Sequence, residues 1–200
     1  MMRRGRGPVS IRAVSRLLPA PVAGIAALLL VCDAASGEPA LHIQSQCSSD
    51  AMLVLDGSGS MSASDFQEGA PNRINRVRQA LARVVPDAAR VRRLGLVVYG
   101  PGRSENSCHN IDLRFRPAAD AASRILQAAE RIRPDGRTPL TASVRLAVEV
   151  LKDGPRPAAI VVLTDGEDTC GGDPCELARR LKSEAPGITV HVVGFKLPSS

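Results

Sequence analysis

Aromatic side chains are scarce in this chain, which has no tryptophan, one tyrosine and three phenylalanines among its 200 residues. Proteins that bind single-stranded nucleic acid stack the bases on aromatic rings, and pockets for small organic ligands are commonly lined by such rings. The composition therefore argues against both kinds of binding site.

Clustered nitrogen and sulfur ligands are lacking as well. The three histidines, His42, His109 and His191, are far apart in the sequence, and no Cys-x-x-Cys pair occurs. Zinc sites in proteins are built from such clusters of cysteine and histidine. The sequence therefore argues against a zinc site.

The N-terminal apolar segment is too short to cross a membrane, which takes about 20 residues. It covers residues 17–31 and is interrupted by Pro19 and Pro21. Arginines precede it and small residues follow it, which is the order of regions in a secretory signal peptide. We predict a signal peptide over residues 1–37 and an exported protein that is periplasmic, secreted or at the cell surface.

Two alternatives to simple cleavage remain open at this N-terminus. We expect cleavage near Ser36 or Gly37. However, Leu29-Leu-Val-Cys32 is similar to a bacterial lipobox, so that Cys32 is a candidate for lipid attachment. An uncleaved signal is the other alternative. Contact with a membrane is expected only through one of these two anchors.

The formal net charge of +6 is concentrated at the N-terminus. Residues 1–37 hold five arginines and one aspartate, a net +4, whereas the remaining residues have 21 basic and 19 acidic side chains, a net +2. A protein that binds nucleic acid through its phosphates needs a basic surface on its folded part. We therefore expect no nucleic-acid partner.

Four cysteines follow the predicted signal peptide: Cys47, Cys108, Cys170 and Cys175. An even number of cysteines in an exported protein favours disulfides, for which three connectivities are possible. The short, turn-rich segment from Cys170 to Cys175 could close on itself.

Apolar patterning predicts an α/β fold. Continuous apolar runs, typical of buried parallel strands, alternate with segments whose apolar residues recur at helical spacing. The predicted strands are residues 51–55, 94–99, 159–164 and 188–195, and the predicted helices lie at 74–84, 125–132, 144–151 and 174–181. Such alternation is typical of a doubly wound, mostly parallel sheet with helices on both faces.

Two further segments have patterns of their own. Residues 111–115 alternate strictly between apolar and polar side chains, which predicts a half-exposed, antiparallel edge strand. Ser64-Asp-Phe-Gln67 is interpreted as a capping box before the first helix.

Oxygen-bearing side chains are concentrated in three loops of this predicted fold. The first strand ends in Asp56-Gly-Ser58-Gly-Ser60, the 159–164 strand is followed by Asp165, and Thr138 lies before the helix at 144–151. Doubly wound sheets bind ligands at the carboxyl ends of their strands. Oxygen-only ligands suit Mg²⁺, with Mn²⁺ or Ca²⁺ possible. We therefore predict a metal site formed by these five side chains.

Some residues near this set have simpler interpretations. Thr138 precedes Pro139, so it could serve only as a helix N-cap. Thr141 is the substitute ligand, but it would fall inside the helix. Glu167 and Asp168 are interpreted as solvated loop charges outside the metal site.

The sequence resembles the von Willebrand factor A-type domain over roughly residues 48–197. The resemblance is carried by Asp-x-Ser-x-Ser after a first buried strand, a distant threonine and Asp-Gly after a later strand, in that order. In that family these elements form the metal-ion-dependent adhesion site. Carried over residue by residue, the ligands are Asp56, Ser58, Ser60, Thr138 and Asp165.

The resemblance also implies a sheet order of 3-2-1-4-5 with strand 3 antiparallel, with residues 38–47 as a short lead before the domain. Family members usually continue through a further helix, a sixth strand and a final helix, whereas we expect this sequence to lack these elements. Residues 188–195 would then form an uncovered apolar edge, which is an aggregation hazard.

The implied function is a non-enzymatic binding module in which a Mg²⁺-type cation coordinates an acidic residue of a protein partner. One alternative is a Mg²⁺-dependent phosphatase of the haloacid dehalogenase type, although that family requires Asp-x-Asp where this chain has Ser58. The other alternative is a structural domain of the same fold with an empty site.

Overall fold

Residues 50–65, 71–102 and 107–195 are described by the computed structural model. The predicted signal peptide, the lead over residues 38–47, Cys32 and Cys47 lie outside these residues. None of the helices in the described ranges is long and apolar enough to span a bilayer.

Five strands form one sheet in the order β3-β2-β1-β4-β5. Strand β1 pairs in parallel with β2 and β4, β4 pairs in parallel with β5, and β3 is antiparallel to β2. The strands are β1 (Asp50–Asp56), β2 (Arg93–Tyr99), β3 (Ile111–Ala118), β4 (Ala158–Thr164) and β5 (Ile188–Gly194). The predicted fold class, strand order and antiparallel third strand are confirmed.

In the described ranges, four α-helices connect the strands: α1 (Arg73–Val91), α2 (Ala122–Arg131), α3 (Leu140–Leu151) and α4 (Pro174–Glu184). The N-cap of α1 is Asn72, whose side chain accepts a hydrogen bond from the Asn75 N–H. The predicted capping box at Ser64–Gln67 lies partly outside the described residues, since residues 66–70 are not among them.

The sheet buries apolar side chains on both faces. Side chains on one face of β1 pack with α1 and α2, and those on the other face pack with α3 and α4. Successive residues of a strand point to opposite faces. Because helices cover both faces, every residue of β1 is buried, which explains its continuous apolar sequence.

Strand β5 is the outer strand beyond β4 among the described residues. Val192 is 59% exposed and Val193 is 45% exposed. Val193, but not Val192, lines an open groove between α1 and the sheet whose lining is mostly apolar. Among the described residues β5 is thus an edge strand with two exposed valines, whereas Ile188, Val190 and Phe195 pack against the core.

Candidate metal centre

Three loops meet at the carboxyl edge of β1 and are joined by backbone hydrogen bonds. The Gly57 N–H donates to the Tyr99 carbonyl at 2.9 Å, which ties the β1 loop to the end of β2. The Gly59 N–H donates to the Gly136 carbonyl at 3.1 Å, and the Asp135 N–H donates to the Gly57 carbonyl at 2.9 Å. The loop before α3 is thereby held against the loop after β1.

Close approach of the first two loops requires a glycine at the end of β2. Gly100 has φ +102°, and a Cβ atom built there would lie 2.4 Å from the backbone nitrogen of Ser58. A larger residue at this position would be strained and would push the Ser58 backbone away.

Four of the five predicted ligands form one chain of oxygen atoms. The Ser58 hydroxyl donates to Asp56 Oδ1 at 2.6 Å, and the Ser60 hydroxyl donates to Asp165 Oδ1 at 2.7 Å. The two hydroxyl oxygens are 3.1 Å apart. The structure thus brings together both carboxylates and both serines, although Asp165 is 105 residues from Ser60.

The protons of this chain can be counted. A serine hydroxyl has one proton, and an ionised carboxylate only accepts hydrogen bonds. Ser58 and Ser60 therefore each direct their proton toward a carboxylate, and none remains for the 3.1 Å contact between them. Lone pairs of the two hydroxyls face each other, and a bound cation would stabilise this arrangement.

The fifth predicted ligand, Thr138, is held in place by its backbone. Its N–H donates to Thr169 Oγ1 at 2.8 Å, and its carbonyl accepts from the Thr169 N–H at 3.1 Å. Its hydroxyl has no hydrogen-bond partner among the described residues. The N-cap of α3 is Pro139, and Thr141 lies within that helix. Thr138 therefore makes no side-chain cap, and its hydroxyl is available for another role.

The second oxygen of Asp56 is held by Thr164, which is in turn contacted by Tyr99; neither residue was among the predicted site residues. The Thr164 hydroxyl donates to Asp56 Oδ2 at 2.7 Å and accepts from the Tyr99 hydroxyl at 3.2 Å. Burial raises the pKa of Tyr99, and the negative charge of Asp56 raises it further, so the phenol keeps the proton it donates. Thr164 immediately precedes Asp165, and this position is the signal that could have identified it.

Arg73, at the start of α1, is another residue that the sequence reasoning missed. Its Nη1 donates to Asp165 Oδ2 at 2.5 Å, and its Nε and Nη2 donate to the two oxygens of Asp65. The hydrogen bond to Asp65 raises the pKa of Arg73, against the opposing effect of burial, and the bond to Asp165 raises it further. The guanidinium is therefore a fixed positive charge beside the candidate site.

Asp168 fastens the β4–α4 loop to the start of α3. Its Oδ2 accepts from the Thr141 N–H at 2.8 Å, and its Oδ1 accepts from the N–H groups of Cys170 and Gly172. Burial alone would raise the pKa of Asp168, but hydrogen bonds from the backbone and side chain of Thr141 and from the N–H groups of Cys170 and Gly172 outweigh that effect and lower it. Asp168 is thus an ordered structural residue rather than a freely solvated charge.

A disulfide joins Cys108 of the β2–β3 loop to Cys170 of the β4–α4 loop. Of the pairings that the sequence left open, the closure between Cys170 and Cys175 does not form, and Cys175 is an exposed free thiol. Spacing in the sequence does not reveal that two loops 62 residues apart meet at this edge of the sheet. A disulfide is typical of proteins in an oxidising, extracytoplasmic compartment.

The chemistry of the donor set fits a hard divalent cation. Asp56 and Asp165 supply carboxylate oxygens and the serines supply hydroxyl oxygens, which are ligands that Mg²⁺ and Ca²⁺ prefer. No group of three or more histidine, cysteine, aspartate and glutamate side chains suited to a metal occurs in the described part of the chain. The candidate site therefore depends on hydroxyls as well as carboxylates.

The phosphatase alternative gains no support from these residues. Its catalysis requires a lysine near the first aspartate, whereas Lys152 and Lys182 lie at the C-terminal ends of α3 and α4. The N-terminal ends of these helices are the ones that face the site. Lys196 lies outside the described residues.

Comparison with known proteins identifies related sequences and folds. The profile of the von Willebrand factor type A domain matches residues 51–167. The uncharacterized protein YwmD of Bacillus subtilis is 25% identical over 182 residues, which cover 86% of this chain and 78% of YwmD.

Two solved structures are similar in fold. The conserved hypothetical protein BatB from Bacteroides thetaiotaomicron has a TM-score of 0.55 and 26% identity, covering 72% of this chain and 65% of that chain. A von Willebrand factor type A protein from Catenulispora acidiphila has a TM-score of 0.51 and 21% identity, covering 74% and 33% of the two chains. The chain therefore spans less than two thirds of the length of either structure.

Proposed function

The chain belongs to the von Willebrand factor type A domain family, and from that premise we propose that it is an exported, metal-dependent protein-binding module. Domains of this family mediate protein–protein interactions. The proposal adds that binding depends on a divalent cation, with Mg²⁺ as the leading choice and Mn²⁺ or Ca²⁺ as the others. It also adds that the partner contributes an acidic side chain and that the domain performs no catalysis.

The single observation that carries this proposal is the chain of oxygens from Asp56 to Asp165. The hydroxyl oxygens of Ser58 and Ser60 are 3.1 Å apart, and each also contacts a carboxylate oxygen, of Asp56 and Asp165 respectively. Asp56 and Ser58 are buried, whereas Ser60 is exposed. The buried residues would hold the ion, and the exposed side would admit the partner.

Each residue has a defined part in this proposal. Asp56, Ser58, Ser60 and Asp165 hold the cation, directly or through water, and Thr138 adds a hydroxyl from the loop before α3. When bound, the cation would supply an open coordination position for a carboxylate oxygen of the partner, since the protein carboxylates only partly neutralise it and it stays electrophilic. The surrounding loops supply specificity.

Metal binding is the first test. We expect isothermal titration calorimetry with MgCl₂ to show one site in the wild type and none in Asp56→Ala, which removes the buried carboxylate. Asp112→Ala is the matched control, because Asp112 lies on the edge strand β3 with its side chain 56% exposed. Binding to Asp56→Ala with wild-type affinity would contradict the proposed site.

Chelation separates this proposal from a structural domain with an empty site. A ligand that binds only the folded state stabilises it by about 2.7 kcal/mol at a free concentration 100-fold above its Kd. We expect EDTA to lower the melting temperature of the wild type and to leave that of Asp56→Ala unchanged. An identical melting temperature with Mg²⁺ and with EDTA would favour the empty site.

Partner binding is tested by capture from an extracellular or periplasmic extract. A genuine partner should be retained by the wild type in Mg²⁺, released by EDTA, and not retained by Asp56→Ala. If a partner is retained in EDTA and also by Asp56→Ala, its binding does not depend on the metal. Turnover of an aryl phosphate in Mg²⁺ would instead indicate an enzyme.

A further inference from the structure

Arg73 occupies a position that helix energetics do not favour. It is the first residue of α1, and the first turn of this helix has no acidic residue. The N-terminus of a helix carries a partial positive charge, which disfavours a cation there. Stability of α1 therefore does not explain an arginine at this position, and the explanation must come from its contacts.

Those contacts are made with two nearly buried carboxylates. The side chains of Asp165 and Asp65 are 0% and 6% exposed, and that of Arg73 is 14% exposed. The planar guanidinium donates hydrogen bonds to both oxygens of Asp65, and its Nη1 donates to Asp165 Oδ2. Such a fork fixes the orientation of a carboxylate more firmly than a lysine does.

The consequence for Asp165 is that only one of its oxygens faces the site. Arg73 holds Oδ2, while Oδ1 accepts from the Ser60 hydroxyl. Asp56 is constrained in the same way, because Thr164 holds its Oδ2 and Ser58 contacts its Oδ1. Each carboxylate therefore offers a single oxygen to a bound ion.

One oxygen per carboxylate suits one class of cation better than another. Mg²⁺ is bound through one or two carboxylates and keeps several waters, whereas Ca²⁺ takes six to eight oxygens and accepts both oxygens of a carboxylate. We infer that Arg73 sets the cation selectivity and limits the cation affinity of this site, by restraining Asp165 to a single oxygen and by its own positive charge. This inference rests on the proposed function, since it concerns the same site.

Asp65 has the complementary part. It lies outside the predicted ligand set, and its carboxylate balances the charge of Arg73. Counting only the described residues of this hydrogen-bonded network, three carboxylates (Asp56, Asp65 and Asp165) and one guanidinium have a formal charge of −2. Loss of Arg73 makes the network more negative, and loss of the Asp65 charge makes it less negative. The two substitutions should therefore change cation affinity in opposite directions.

The test is titration of Mg²⁺ and Ca²⁺ into the wild type, Arg73→Met and Asp65→Asn by calorimetry. Arg73→Met should bind Mg²⁺ on the order of tenfold more tightly, because a positive charge beside the ion is removed. Its affinity for Ca²⁺ should rise more than its affinity for Mg²⁺, since Asp165 gains a free second oxygen. Asp65→Asn should bind Mg²⁺ more weakly than the wild type.

Arg90→Met is the control, because Arg90 lies in the last turn of α1 with its side chain 78% exposed. It removes the same charge away from the site and should leave both affinities unchanged. Melting curves in EDTA show whether each variant folds. If Arg73→Met does not fold, the inference is tested by whether Asp65→Asn lowers or raises the Mg²⁺ affinity.

The outcomes separate this inference from the proposed function. A wild type that binds no divalent cation overturns both. Suppose instead that the wild type binds Mg²⁺, that Arg73→Met binds it equally or more weakly, and that the preference for Mg²⁺ over Ca²⁺ is unchanged. This result overturns the role of Arg73 but leaves the proposed function standing. Asp65→Asn binding Mg²⁺ more tightly than the wild type would also contradict it.

Discussion

Thr164 is the residue on which the buried side of the candidate site depends. Its hydroxyl donates to Asp56 Oδ2 and accepts from the Tyr99 phenol, so it joins a buried carboxylate to a buried aromatic ring. All three residues are at most 1% exposed. Leaving a buried polar group without a partner costs about 1–3 kcal/mol.

Thr164→Val tests this connection with little change in side-chain shape. We expect the free energy of unfolding, measured with urea in EDTA, to fall by about 1–3 kcal/mol, because Tyr99 and Asp56 each lose a partner. Adding Tyr99→Phe removes the Tyr99 hydroxyl, which is one of the two polar groups that Thr164→Val leaves without a partner. The double variant should therefore be no less stable than Thr164→Val alone. If the two substitutions instead lower the free energy of unfolding additively, Thr164 does not join Tyr99 to Asp56.

Residues of the candidate site differ in how well the sequence predicts them. Asp56, Ser58, Ser60 and Asp165 were found because they follow predicted strands in a spaced pattern. Arg73 was not predicted, because the sequence around a helical arginine does not indicate which distant carboxylate it contacts, and Asp165 is 92 residues away. Whether the five predicted ligands hold a metal stays a prediction.

At the scale of elements, the start of α3 depends on a residue from another loop. Thr141 is in the first turn of α3, where backbone N–H groups have no partner within the helix. The Thr141 N–H donates instead to Asp168, 27 residues later. Local sequence predicted Thr138 as the alternative cap, since capping is normally a property of neighbouring residues. Here the cap comes from the β4–α4 loop.

Asp168→Asn should weaken this link by about 1 kcal/mol at neutral pH, because one carboxylate oxygen and the charge are lost. The pKa of Asp168 in the folded protein lies below its ordinary value of 3.8. Its stabilising effect is therefore complete above that value and is lost as the pH falls through the folded pKa. Stability differences between wild type and variant should be constant from about pH 7 to pH 5 and shrink below about pH 4.

Urea unfolding of both proteins across this range measures the effect. Asp173→Asn is a suitable control, because Asp173 is the exposed N-cap of α4 and makes a single such bond, to the Glu176 N–H. If the difference in the free energy of unfolding between the wild type and Asp168→Asn stays constant down to pH 3, the charge of the carboxylate does not contribute to the link between the β4–α4 loop and α3.

For the whole molecule, the exposed edge of the sheet is the main hazard. Strand β5 has no neighbour on its outer side among the described residues, Val192 and Val193 are exposed, and Val193 lines an apolar groove. Unpaired strand edges form hydrogen bonds with other chains, and natural proteins prevent this with lysines at the edge. We expect these residues, as they stand, to favour self-association.

Val192→Lys should reduce self-association measured by sedimentation velocity over a range of concentrations. Because Val192 is 59% exposed, the free energy of unfolding should change by no more than about 0.5 kcal/mol. Val91→Lys adds the same charge at a 72% exposed position on the end of α1 and should have little effect. An equal reduction by both variants would indicate net charge rather than the strand edge as the cause.

The sequence by itself determined the strands, the helices and the layered architecture, because these follow from the period of buried side chains along the chain. It also specified which oxygen-bearing residues stand at the strand ends. Only the tertiary structure decided what contacts them: Thr164 on Asp56 across 108 residues, Arg73 on Asp165 across 92, and Cys108 with Cys170 across 62. Such contacts depend on how loops distant in sequence pack at one edge of the sheet, and no local pattern records that packing.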